Sequence, residues 1–166
     1  MPAEGLQMEK QASENMSAIE KISALEKMSG LEIIHAMIAG KLPPASMAET
    51  IPMQIKEAEP GRVLFEVMAN HHHLNPMGGV HGGFAATVLD SVTGCAVHTM
   101  LEAGVGYGTI DLNVKMLKAV PTDTKLIAEG KLINLSRSIG VSEGTLRNDE
   151  GKIFAYATAT CMILRK

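Results

Sequence analysis

The chain has 166 residues, 46% of them hydrophobic and 20% charged, with a formal net charge of -3 and lysines and arginines scattered rather than clustered. That length supports one core-bearing domain without metal or disulfide staples, and the lack of a concentrated basic face excludes non-specific nucleic-acid binding, which depends on neutralising phosphates. Residues 1–10 lack the continuous apolar run of a signal peptide, and the longest apolar stretch is broken by Asp90 and His98, so no membrane span is expected.

From about Ala12 to Met28, apolar residues recur at helical spacing between Glu and Lys, which predicts a helical N-terminal arm over 1–30 and a globular domain over 31–166. Ser29 and Glu32 form a capping-box pattern ahead of Leu31, Ile33, Ile34, Met37 and Ile38, a second helix that Gly40 and Pro43-Pro44 should end. Thr50–Glu57 and Arg62–Ala69 read as two strands joined by a turn at Glu59-Pro60-Gly61. A loop with His71, His72 and His73 follows. Neighbouring residues on extended chain point to opposite faces and no further ligand lies at metal spacing, so the loop is expected to be solvated and metal-free.

Phe84 to Val97 is apolar on nearly every side and predicts a buried helix, with His98 at its C-terminal end complementing the dipole. Four β-rich segments come next, at about 106–118, 125–135, 138–148 and 152–164, with connections too short for βαβ crossovers. The expected class is therefore α+β, an antiparallel sheet curled around one long buried helix, with an N-terminal helical extension. Cys95 and Cys161 sit in apolar runs without a second pair at metal spacing, which predicts buried thiols and a reducing, cytoplasmic compartment.

Asp90 is the residue that asks for an explanation, because it is a charge inside the apolar helix. A buried, unpaired carboxylate costs several kcal/mol, so it pairs with a donor, takes up a proton, or is kept for chemistry. The helix opens at His81-Gly82-Gly83. A helix start presents unpaired N–H groups, and glycine lets a ligand approach the backbone, so Gly82 and Gly83 suit an oxyanion hole. Eight residues of helix separate Gly82 from Asp90, roughly 12 Å at 1.5 Å per residue. The two cannot serve one carbonyl within one chain, so Asp90 should act on substrate held by Gly82 of another subunit.

The spacing Asn75-(five residues)-His81-Gly82-Gly83-(six residues)-Asp90, followed by Thr109-Ile110-Asp111-Leu112-Asn113-Val114, Arg137-Ser138 and Gly151-Lys152-Ile153-Phe154-Ala155, resembles the hotdog-fold acyl-CoA thioesterases of the phenylacetate-pathway (PaaI-like) type over roughly 31–164. The resemblance implies hydrolysis of a small aryl- or medium-chain acyl-CoA. The Gly82 N–H would polarise the thioester carbonyl, and Asp90 would be nucleophile or general base. It implies further that Asn75 orients the attacking water or the carboxylate and that His81 supports the carbonyl end, although His81 also reads simply as a helix-start residue. Gly83, Thr109, Arg137 and Ser138 would meet the substrate, with Arg137 and Ser138 near the pantetheine or phosphates. Coenzyme A would be part of the substrate, no cofactor is implied, and the minimal active unit would be a homodimer, with dimers pairing into homotetramers. One departure stands out: the family's hydroxyl residue a helical turn after the carboxylate is here Gly94, which is expected to enlarge the acyl pocket. A non-catalytic acyl-CoA or acyl-carrier binding module and a hotdog-fold hydratase or dehydratase are the competing readings, since fold alone does not separate them.

Overall fold

The computed structural model describes residues 23–165. The arm expected over 1–30 therefore falls mostly outside the described residues.

Helix α1 (Gly30–Ile38) starts with the anticipated capping box: the Ser29 side chain accepts from the Glu32 N–H, and the Glu32 carboxylate accepts from the Ser29 N–H at 2.7 Å. Gly40, at φ 70°, follows its C-cap, a left-handed position that favours glycine. A short helix α2 (Met47–Thr50) leads into strands β1 (Met53–Glu59) and β2 (Arg62–Val67). After helix α3 (Gly82–His98) come β3 (Gly106–Met116), β4 (Leu126–Leu135), β5 (Ile139–Arg147) and β6 (Ile153–Leu164). The strands form one antiparallel sheet in the order β1-β2-β4-β5-β6-β3. In β2 and β5 every second residue is buried, as strand alternation requires when one face meets a core.

The sheet wraps α3, which touches β2, β3, β4, β5 and β6, while α1 packs on β1 and α3. The core consists of Val88, Leu89 and Val92 of the helix against Phe65, Leu126, Ala128, Leu146 and Ala157 of the strands. This is the hotdog arrangement that the sequence resemblance implies. The helix lies so close to β4 that a β-carbon at Gly130 would stand 2.1 Å from the Val92 carbonyl oxygen. Since that neighbour is helix backbone, Gly130→Ala is expected to destabilise the fold by about 3 kcal/mol, near the upper end of ordinary overpacking. Urea unfolding checks this, and an unchanged midpoint would refute the close approach.

Helix α3 is not buried on every side. Ala86, Thr87, Asp90, Ser91, Cys95 and His98 are only half-buried, and their three- and four-residue spacing makes one continuous stripe. The sequence concealed this because the stripe is built of small residues that look apolar or neutral. Asp90 lies in the middle of it.

Candidate active site

The start of α3 is held by the loop before it. The Asn75 side-chain oxygen accepts from the N–H groups of Met77 (2.9 Å) and Gly79 (3.2 Å), and backbone bonds between Asn75 and Gly78 and Gly79 close the turn. His73 is buried rather than solvated, contrary to the expectation for the triplet. Its Nδ1 accepts from the Asn70 N–H and its Nε2 donates to the Thr50 carbonyl, so the ring is a neutral Nε2–H tautomer. The His73 carbonyl in turn accepts from the His81 N–H at 2.7 Å. His73 thus ties the helix start to the segment before β1. An identical run of three histidines offers no signal as to which one turns inward.

His81 is the N-cap of α3: its Nδ1 accepts from the Gly83 N–H at 2.8 Å. That bond corrects one expectation, because the Gly83 N–H is engaged and cannot also serve an oxyanion. The Gly82 N–H has no acceptor among the described residues. It is the donor left at the helix start, where the dipole adds partial positive charge.

Asp90 is on the same unbroken helix, eight residues on. Its Oδ1 is buried and has no hydrogen-bond partner among the described residues. The residue lies between two spaces. One is a cavity of about 580 Å³ between α1, α2, β1 and the half-buried stripe of α3. The other is a shallower, open groove between Ala86 and Thr87 of α3 and Thr109–Leu112 of β3. Thr109 lines both, and β3 is an edge strand with a bulge at Ile110, which is 55% exposed. Asp90 and Thr109 are therefore brought together, whereas Asn75, His81, Gly82 and Gly83 line neither space. Arg137 and Ser138 are exposed at the β4–β5 hairpin, also away from both.

The site contains a residue that sequence patterns did not single out. A β-carbon at Gly94 would stand 2.8 Å from Cε2 of Tyr107 and 2.9 Å from its hydroxyl. The space released by glycine is thus filled by a tyrosine from β3, and the expectation that Gly94 enlarges the pocket is overturned. Burial raises the titration of both Tyr107 and Cys95, the Cys95 thiol to about 12. Cys95 is accordingly a protonated, unreactive wall of the cavity.

His98 packs at 5.3 Å on the Tyr107 ring and lines the same cavity. Burial lowers its pKa below the ordinary histidine value, so it is a neutral ring and adds no charge to the helix dipole. The unfolded chain takes up this proton near pH 6.5 while the native state resists it, so the unfolded state binds more protons and stability falls as pH drops below about 6.5. The urea midpoint should decline from about pH 7 to about pH 5 in the wild type, and less steeply in His98→Gln. Equal slopes in the two proteins would refute this role.

Comparison with known proteins fits this architecture. Residues 77–155 match the thioesterase superfamily. The crystal structure of a phenylacetic acid degradation-related protein from Ralstonia eutropha JMP134 superposes with a TM-score of 0.71 at 32% identity, over 78% of this chain and 98% of that one. The chain belongs to the thioesterase superfamily. A hypothetical thioesterase protein from Streptococcus pneumoniae, crystallised with coenzyme A, has a TM-score of 0.63 at 25% identity, covering 69% of this chain and 90% of its own. Human acyl-coenzyme A thioesterase 13 is 24% identical over 104 residues, 62% of this chain and 74% of that protein. A candidate esterase of Halobacterium salinarum is 41% identical over 68 residues, and there the chain spans only 44% of the relative's length. The segment shared with the thioesterase superfamily contains His81, Gly82, Asp90, Thr109, Arg137 and Ser138, and leaves out Asn75, α1 and β1.

Proposed function

We propose that this protein hydrolyses the thioester of an acyl-coenzyme A to free acid and coenzyme A. The observation that carries the reading is Asp90: a carboxyl group with an unpartnered buried oxygen, set between a deeper, mainly apolar cavity and a shallower, open groove. Such a group fits a reacting centre better than a structural one, because a structural carboxyl would have its lone pairs satisfied. Coenzyme A as the thiol carrier is supported by the pneumococcal structure and by the human relative.

In one route Asp90 takes a proton from water, the hydroxide adds to the carbonyl carbon, and the oxyanion accepts from the Gly82 N–H. Collapse breaks the C–S bond, and the departing thiolate regains the proton. In the other, the carboxylate itself attacks, expels the thiolate and forms a mixed anhydride that water then opens. Both give the same products, and the groups present fit both.

Because Gly82 and Asp90 are eight residues apart on one straight helix, each site takes its carbonyl donor from a second subunit. The unpaired edge of β3, with exposed Ile110 beside the groove, supports a homodimer formed on that side, and pairing of dimers gives the tetramer. The Asn75 side-chain amide has no acceptor among the described residues, which suits orienting water at a neighbouring site, and exposed Arg137 and Ser138, away from both spaces of their own chain, would meet only the coenzyme of a neighbouring subunit's site. Two free cysteines suit a reducing, cytoplasmic setting.

A hydratase needs an acid and a base flanking adjacent carbons. His98, two turns from Asp90 and roughly 12 Å along the axis, does not make that pair with the Asp90 of its own chain. The test is release of free thiol from a panel of aryl- and alkyl-acyl-CoA esters, with assembly checked by sizing. Release establishes the hydrolase, whereas saturable binding without release would replace it with an acyl-CoA binding module.

A further inference from the structure

Asp90 is shared by two spaces of different chemistry, and a thioester has two substituents of different chemistry. Resting on the thioesterase reading above, the uncharged pantetheine arm of the coenzyme suits the open groove between α3 and β3, whose lining holds Asp90 and Asp111 and no cation, so that the phosphates lie beyond it. The acyl group then enters the deeper, mainly apolar cavity. That cavity is walled by Ile34, Met37 and Ile38 of α1, Met47 of α2, and Met53 and Ile55 of β1. Three of these six are methionines, which are unbranched and adaptable and so follow a flexible chain rather than define a flat slot. The rings on the wall do not make such a slot either: Phe65 is a core residue, Tyr107 is pinned over Gly94, and His98 packs tilted on Tyr107.

We propose that the cavity takes an unbranched aliphatic acyl group in preference to an aryl one, and that Met37 and Met47 set the chain length. The cavity's volume of about 580 Å³ lies within the usual range for a small-molecule site. With a methylene close in size to a water, at about 30 Å³ each, that volume equals about nineteen methylenes, so a chain of about ten carbons fills roughly half of it and leaves the rest for side chains to close on. Met37, Met47, Met53 and Ile55 all precede the segment shared with the superfamily, so this wall belongs to the part of the chain in which substrate preference is free to differ.

The test is kcat/KM of the full chain on straight-chain acyl-CoAs of graded length and on phenylacetyl- and benzoyl-CoA, for the wild type, Met37→Trp and Met47→Trp. The wild type should gain about threefold to fourfold for each added methylene up to about ten carbons, and should exceed its rate on both aryl esters. Each tryptophan should cut the ratio of long-chain to short-chain kcat/KM by about tenfold or more, through lost cavity depth. Met47 is half-exposed, so its variant carries the test if circular dichroism shows Met37→Trp to be misfolded. A flat length profile, faster aryl turnover, or wild-type profiles in both folded variants would overturn the inference while leaving the thioesterase in place. Should no ester be hydrolysed, the thioesterase reading falls, and binding of S-alkyl-CoA thioethers of the same lengths decides the cavity. Affinity that rises with length upholds it, and affinity independent of length overturns it.

Discussion

Asp90→Asn is expected to lower thioester turnover by at least about 10³-fold, near the upper part of the range for loss of a general base, while leaving the protein folded and assembled. Asparagine keeps the size and most of the packing of the side chain but can neither take a proton from water nor attack a carbonyl. The substitution also replaces an ionisable carboxyl group whose buried oxygen lacks a partner by a neutral amide, which costs less to bury than a carboxylate, so thermal stability should be unchanged or raised. Loss of activity with equal or greater stability is the mark of a group retained for chemistry at a cost to the fold. Free-thiol release and a melting curve on the same preparation provide the check. Full activity in the asparagine protein would remove Asp90 from the mechanism, and a lower melting point would make it a structural residue.

Gly82→Pro should cost about 10² to 10³ in kcat, the usual effect of losing one oxyanion donor. Proline deletes the N–H and little else here. Gly82 is the first residue of α3, a position that proline favours, and His81 before it has φ -63° and ψ 137°, an extended conformation that a following proline tolerates. A β-carbon at this position would meet only the tip of Met116, at 3.4 Å. The same variant tests whether the site spans two subunits. A mixed dimer of Gly82→Pro and Asp90→Asn chains contains one site with both substitutions and one with neither. Random reassembly of equal amounts should therefore restore about a quarter of wild-type activity. No recovery after verified subunit exchange would place both groups in a single chain's site, against the helical geometry.

Local features were legible in the sequence because each leaves a mark within a few residues. Ser29 and Glu32 marked a helix start, the alternation in Arg62–Val67 marked a half-buried strand, and Asp90 stood out as a charge within an apolar run. What went astray depended on where side chains turn, and in two of three cases on neighbours distant in sequence. Gly94 seemed to leave a void until Tyr107, thirteen residues away on another element, was seen to fill it. Gly83 seemed a free donor until the His81 ring was seen to cap it. The histidine triplet seemed solvated until His73 was found bonded to Thr50.

The sequence by itself determined the class of fold, the helix that carries the carboxyl group, the order of the strands along the chain and the eight-residue separation of Gly82 from Asp90, since periodicity, caps and the fixed rise of a helix require no knowledge of long-range contacts. Only the tertiary structure decided which face of that helix stays open, which N–H at its start remains free, and that α1 and β1 wall a cavity ending at Asp90. Those outcomes depend on how the sheet curls around the helix, and side chains that meet across that curl are separated by tens of residues with no repeating pattern to connect them.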